Sequence, residues 1–482
     1  MGQVQPVQSV EPSLVRMSRQ TAFPFDDAPE EDKYSVCVHC GFCLEVCPTY
    51  QELGDENHSP RGRVLLIREA AQGQLPLDAS VVDPVFTCLD CRACETVCPS
   101  GVQVGSLIET ARGQAHIANP PVGRAGRLER LFLRGIFPHP ERLRRVARLI
   151  RFYQRSGLQG IVRKTGALRL LPEAAREMEA VVPKISEKSA LEALPERLPA
   201  IGAKKGVGAL FTGCVMDVFF SDINQATARV AVRNGLDVVV PKTQVCCGAL
   251  QIHAGDREQA RKMARHNIDV FLQSGADYVI INAAGCGSAL KEYPDLFRDD
   301  PVYLERATTF SGRVRDISEL LVEVGFEAPE GSVERTVTYH DACHLCHAQK
   351  VRSQPRQLLR SIPGLKLVDL PDSERCCGSA GIYNLTHPDM AMALLERKMD
   401  DIPDNADAVV MGNPGCMMQI RLGVHKRGRQ LDVLHTVELL DAAYAGEKTW
   451  QGGVGEVGET EQGGQSSGRA PGRTGAGGGG SR

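Results

Sequence analysis

Eight cysteines fall into two runs of identical spacing, Cys37-x2-Cys40-x2-Cys43-x3-Cys47-Pro48 and Cys88-x2-Cys91-x2-Cys94-x3-Cys98-Pro99. Thiolates are soft ligands that suit zinc or iron–sulfur clusters. A structural zinc site takes its ligands as two separated pairs, which leaves the third Cys and the Cys-Pro of each run unexplained. Three thiolates at successive three-residue steps instead wrap one 4Fe-4S cubane corner by corner. The chemistry this predicts is the passage of single electrons between two neighbouring clusters.

The double run resembles that of bacterial two-cluster ferredoxins, in which the fourth cysteine of each run reaches the other cluster. On that pattern one cluster takes Cys37, Cys40, Cys43 and Cys98, and the other takes Cys88, Cys91, Cys94 and Cys47. His39 lies inside a complete cysteine set and reads as a spacer or a donor to cluster sulfur. Between the runs, Ser59-Pro-Arg-Gly-Arg63 places Arg61 and Arg63 where they either tune the clusters or line a solvated loop that enters a helix at Val64.

Nine further cysteines follow: Cys214, Cys246, Cys247, Cys286, Cys343, Cys346, Cys376, Cys377 and Cys416. Four of them, Cys214, Cys246, Cys247 and Cys286, recur as Cys343, Cys376, Cys377 and Cys416, at an offset of 129 once and 130 three times. Each copy reads as a strand ending at its first Cys, a helix, a second strand leading to Cys-Cys-Gly, a further helix and a third strand before its last Cys. Strands alternating with helices predict parallel sheets whose ligand-bearing loops lie at the carboxyl ends. The helix from about Asp256 places Ala260, Met263, Ala264, Ile268 and Phe271 on the face that covers its sheet. Gly248 and Gly378 are expected where the backbone needs a positive φ or a close approach.

The copies resemble the cysteine-rich domain of heterodisulfide reductase-type proteins, which can hold an unusual iron–sulfur cluster. That family's pattern ends in Cys-x2-Cys, whereas here the last position is Ala289 in one copy and Gln419 in the other. Two readings stay open for these nine thiols: a third metal centre, to which His340, His344 and His347 could add ligands, or reduced structural cysteines.

The elements that must position these residues follow from the rest of the chain. The fold class expected is α+β, with a helical two-cluster ferredoxin-like domain followed by a duplicated α/β domain built on parallel sheets. Residues 1–30 are polar and aperiodic, and the tail 446–482 is Gly-rich, with 13 glycines after residue 450, so both ends are expected to be disordered. Between them lie the cluster domain (31–115), an Arg-rich helical connector (116–200) and the two repeats (201–325 and 326–445). From Arg124 to Arg169 the connector carries 13 Arg or Lys against Glu129 and Glu141, with Leu131, Phe132, Leu133, Ile136 and Phe137 among them. This stretch could dock an anionic membrane surface or a partner, or present a solvated basic face.

The 482 residues carry 56 Lys or Arg against 59 Asp or Glu, which gives no reason to expect nucleic acid as a partner. Seventeen cysteines without a secretory signal point to a reducing compartment and to free thiols. No apolar stretch reaches the ~18 residues that span a bilayer. The location expected is therefore cytoplasmic, or peripheral on the inner face of the cell membrane. Gly206-Val-Gly208 precedes a strand and lacks the third glycine of a dinucleotide fingerprint, so electrons are expected to enter from another subunit.

Cys37–Tyr50, Gly54-Asp-Glu56 with Ser59–Arg63, and Cys88–Gly101 together resemble the iron–sulfur subunit of bacterial glycolate oxidase, over about Tyr34 to Ala445. The resemblance implies a complex in which FAD-bearing flavoprotein subunits oxidise glycolate to glyoxylate. This subunit would then pass the electrons to a quinone or other acceptor and hold no catalytic residue of its own. The iron–sulfur subunit of a lactate or glycerol-3-phosphate dehydrogenase shares the domain order. A heterodisulfide reductase-like enzyme that uses the duplicated cysteines is the reading from a different class.

Overall fold

The computed structural model describes residues 21–170 and 173–446. It is an α+β protein with two mostly parallel sheets. The first sheet has the order β1-β3-β2-β4-β5, formed by β1 (Arg197–Leu198), β2 (Gly206–Leu210), β3 (Leu236–Val239), β4 (Tyr278–Ile281) and β5 (Val314–Asp316). The second has the order β7-β6-β8-β9, formed by β6 (Arg335–Tyr339), β7 (Leu365–Val368), β8 (Ala408–Met411) and β9 (Asp432–His435). All pairs are parallel except β1 on β3, where Arg197 opposes Val239.

Every residue of β8 is buried, as a strand covered by helices on both faces requires. The helix Arg257–Gln273 starts at the Asp256 cap and buries Ala260, Met263, Ala264, Ile268 and Phe271. Gly206 and Gly208 lie within β2, and a Cβ on Gly208 would meet the Ile280 side chain at 2.4 Å. These glycines serve strand packing and form no phosphate loop. Gly378 has φ +89, and a Cβ there would lie 2.5 Å from the Ala391 carbonyl, so both reasons for glycine apply at once.

The duplication extends one strand further than the cysteines indicate. β5 and β9 each pair with the third strand of their repeat and lead into helices, Ile317–Glu323 and Thr436–Ala445, through capping boxes at Asp316/Glu319 and His435/Glu438. The two sheets meet at their carboxyl edges: the Ala284 N–H donates to the Gly412 carbonyl (2.9 Å) and the Gly285 N–H to Asn413 Oδ1 (3.2 Å).

Two expectations are corrected. Residues 21–30 are packed: Phe23 is buried, and Asp27 binds Arg257 (2.6 Å), Arg261 and Arg298. One apolar ring and one carboxylate facing three guanidiniums anchor a stretch whose composition is otherwise that of a coil. The disorder expected for 1–20 and beyond 446 falls outside the described residues. The first repeat also begins before residue 201: the capped helix Ala190–Ala193 leads into β1, which joins its sheet.

The connector forms helices Gly123–Arg130, Leu131–Ile136, Pro140–Arg155 and Leu158–Lys164; Leu143 and Ala147 pack into the core of the repeats, and Leu133, also buried, accepts from Gln251 Nε2 through its carbonyl. The helices leave Leu131, Phe132, Leu149 and Phe152 exposed. Among the described residues, no helix is long and apolar enough to cross a membrane.

Candidate electron-transfer site

The two cysteine runs fold into matching loops. His39 (φ 55) corresponds to Asp90 (φ 53), and Gly41 (φ 90) to Arg92 (φ 62), so each loop turns through the left-handed region at the same two places. Such turns let the chain fold back and aim its cysteines inward. Short helices Pro48–Leu53 and Val104–Ala118 then carry the chain away from each run.

One cavity is walled by Cys37, Cys40, Cys43 and Cys98, and a second by Cys47, Cys88, Cys91 and Cys94. Cys94 also touches the first cavity. Each cavity thus brings thiols of one run beside a thiol of the other. Burial pushes the thiols of Cys88, Cys91 and Cys94 up, so four thiolates in this space need the positive charge of bound metal. The donor sets fit a cubane in each cavity, and the second is the more secluded, since Cys40 of the first is exposed.

Arg63 is 1% exposed and donates to the Pro84 carbonyl (2.7 Å) and Thr49 Oγ1 (2.9 Å), with Nη1 3.9 Å from Cys47 Sγ. The helix begins at Pro60, capped by Ser59, so Arg63 is an interior cation beside a cluster thiol and no part of a solvated loop. Arg61 pairs with Glu56 at 2.6 Å and donates to the His39 carbonyl. His39 supplies backbone geometry, which agrees with its reading as a spacer.

The repeats gather their thiols separately. In the first, Cys214 and Cys246 stand 3.3 Å apart, and Cys247 bridges Cys246 and Cys286. In the second, Cys376 neighbours Cys343 and Cys377, and Cys377 neighbours Cys416. Cys91 of the cluster domain packs in one buried group with Cys343 and Cys376. Cys346 is grouped instead with His347 and Glu374, and Arg352 donates to both of these partners. His344 lies 3.4 Å from Cys343 Sγ, and His347 lies 3.0 Å from Thr96 Oγ1 across the domain boundary.

Comparison with known proteins agrees with this division. Residues 33–102 match the 4Fe-4S dicluster domain, residues 124–182 the linker region of the glycolate oxidase iron–sulfur subunit, and residues 208–291 and 337–421 the cysteine-rich domain. The probable glycolate oxidase iron–sulfur subunit of Bacillus subtilis (strain 168) is 41% identical over 437 residues, spanning 89% of this chain and 98% of that protein. The chain belongs to the glycolate oxidase iron–sulfur subunit family. The Escherichia coli (strain K12) glycolate oxidase iron–sulfur subunit is 33% identical, covering 85% of this chain and 93% of that one. Lactate utilization protein A of Exiguobacterium sp. is 31% identical over 48% of this chain and 96% of its own.

This glycolate oxidase-type subunit also contains functional residues that spacing does not reveal. Arg92, 6% exposed, holds Asp90 (2.8 Å), Glu109 (2.8 Å) and Glu292 (3.0 Å), with Glu95 at 3.6 Å. It ties a cluster-bearing loop to the first repeat. The only advance signal is the charged Asp90-Cys91-Arg92, where the other run has His39-Cys40-Gly41.

One guanidinium cannot balance four carboxylates, and Glu109 is pushed up to about 7 by burial, with the Asp90 charge adding to it. The folded protein therefore keeps this proton to about pH 7, whereas the unfolded chain loses it near the ordinary value of 4.5. The contribution of Glu109 to stability then falls as pH rises through that window, by at most ~1.4 kcal/mol per pH unit, and levels off above it. Glu109→Gln keeps an acceptor for Arg92 and is expected to flatten that slope, read as thermal midpoints of anaerobic protein across the window.

Proposed function

We propose that this chain is the electron-carrying subunit of a glycolate-oxidising complex. It would take electrons from a flavoprotein subunit that holds FAD and converts glycolate to glyoxylate, and pass them to a quinone or other acceptor. The observation that carries this reading is the pair of adjoining cavities, each walled by a cysteine quartet, in a chain 41% identical to a glycolate oxidase iron–sulfur subunit.

On this reading Cys37, Cys40, Cys43 and Cys98 hold one 4Fe-4S cluster, and Cys47, Cys88, Cys91 and Cys94 hold the other. Bound clusters supply one-electron storage. The protein's own residues set the conditions. Arg63 places a buried cation beside Cys47, Arg92 fixes the second loop against the first repeat, and Cys91 abuts Cys343 and Cys376, which supports the second repeat as the next station.

Phe132, Leu149 and Phe152 stand exposed among the connector's arginines, which favours docking of this helical face on a partner or a membrane surface over a purely solvated role. Burial of Cys376 (2% exposed) and Cys377 (1%) weighs against attack on a disulfide substrate, and so against the heterodisulfide reductase-like reading.

Purification of the native complex with flavin and iron quantitation tests the proposal. Glycolate is expected to bleach the cluster absorbance within the assembled complex. Bleaching by lactate or glycerol 3-phosphate with glycolate inert would reassign the complex to one of those substrates.

A further inference from the structure

The two repeats share a backbone but differ at two interior places that face the thiols. Phe211 and His340 occupy equivalent positions: their N–H groups donate to Ile280 and Val410, each at 2.9 Å. Phe211 is fully buried and stacks on Phe271 at 5.3 Å, an ordinary core residue. His340 is also 0% exposed, yet neither ring nitrogen makes a hydrogen bond of ordinary geometry, although the Ser373 backbone approaches the ring. A buried imidazole without partners is costly unless something else takes up its lone pair. One ring nitrogen, Cys377 Sγ and Cys416 Sγ lie within 4.8 Å of one another.

The second difference lies on the helix after each Cys-Cys-Gly turn. There the first repeat buries Asn267, whose amide is taken up by the backbone of Val245 and Cys246. The second buries Lys398, 0% exposed, which donates to the Asp372 carbonyl and lies near the Asp401 carboxylate and beside Cys377 and Cys376. A buried ammonium is tolerated where negative charge gathers, and thiolates on a metal are such a charge. Gln419, at the place where the wider pattern has a further Cys, is turned away: its amide donates to the Ala391 carbonyl at 3.3 Å and accepts from Asn384.

We propose that His340 is a ligand, together with Cys377 and Cys416, of an iron-containing centre held by the second repeat. The imidazole supplies the donor that Gln419 does not, and Lys398 offsets the thiolate charge. Neutral imidazole and thiolate together suit iron or zinc, and only iron could exchange electrons with the neighbouring cluster domain. With Cys343 and Cys376 packed against Cys91, the centre is the next electron acceptor beyond the cluster held by Cys47, Cys88, Cys91 and Cys94. This deepens the electron-carrier reading and rests on it.

The test uses the full chain purified anaerobically, with iron and zinc quantitation and pulsed EPR for nitrogen coupling in reduced and oxidised samples. Expected for the wild type are iron in excess of two cubanes and a signal coupled to a nitrogen nucleus. His340→Phe, which copies the first repeat, is expected to lose both and keep the cubane signals of the N-terminal domain. His340→Cys keeps the extra iron without nitrogen coupling. Iron no higher than two cubanes, zinc in the second repeat, or nitrogen coupling that survives both substitutions overturns the proposal. Failure of the electron-carrier reading shows separately, as absence of cubane signals from the wild type.

Discussion

Replacing Cys91 with serine is expected to remove one whole cubane and bring electron transfer through the complex close to background. Cys91 is 9% exposed and lines the cavity shared by Cys47, Cys88 and Cys94. A serine hydroxyl does not ionise at neutral pH, so the quartet loses one corner and its neighbours keep the protons that burial favours. Outer partners of a metal site are worth about 10- to 100-fold, and loss of a direct ligand is expected to exceed that range. The other cavity, with Cys37, Cys40, Cys43 and Cys98, keeps its four thiols, so half of the cubane iron and one reduced cubane signal should remain. Because Cys91 also touches Cys343 and Cys376, acceptor reduction should fail while the flavin still reduces with glycolate. Full iron content and unchanged turnover in this variant would falsify the quartet assignment.

The two-run cluster domain was legible because ligand spacing is local: three-residue steps and a following Cys-Pro are written within each run of the chain. The repeats were legible because the cysteines mark the same strand ends twice. β5 and β9 escaped notice because no cysteine flags them; β9 is as long as β4 and β8, which the cysteines mark. Arg92 could not be read because its partner Glu292 lies 200 residues away, and charge in sequence says nothing of burial. His340 was legible only as one of three histidines that could add a ligand, and Lys398 was not singled out at all. Their meaning comes from having no exposure, set against an apolar ring and a neutral amide at the matching places of the first repeat. Phe23 and Asp27 show the converse: two anchors suffice to order a segment whose composition reads as coil.

Arg63→Leu is expected to lower the reduction potential of the Cys47-bound cluster and to weaken the fold around it. The guanidinium is buried, with Nη1 3.9 Å from Cys47 Sγ, and Cys47 Sγ is itself 3.3 Å from Thr49 Oγ1. Adding an electron to the cluster increases its negative charge, so a nearby cation favours the reduced state and its removal favours the oxidised one. A unit charge about 6 Å away at an effective dielectric of about 20 is worth ~3 kcal/mol. For a one-electron couple that is a downward shift on the order of 100 mV. The same substitution strands the Pro84 carbonyl without its donor, at about 1–3 kcal/mol for a buried group left unpaired, whereas Thr49 Oγ1 keeps its bond to the His58 carbonyl. Arg63→Lys keeps the charge and loses the fork, so it should recover most of the potential and little of the stability. Potentiometric EPR titration separates the two effects. A potential unmoved by Arg63→Leu, with both clusters retained, would show that solvent and backbone amides set the couple and that Arg63 serves the fold alone.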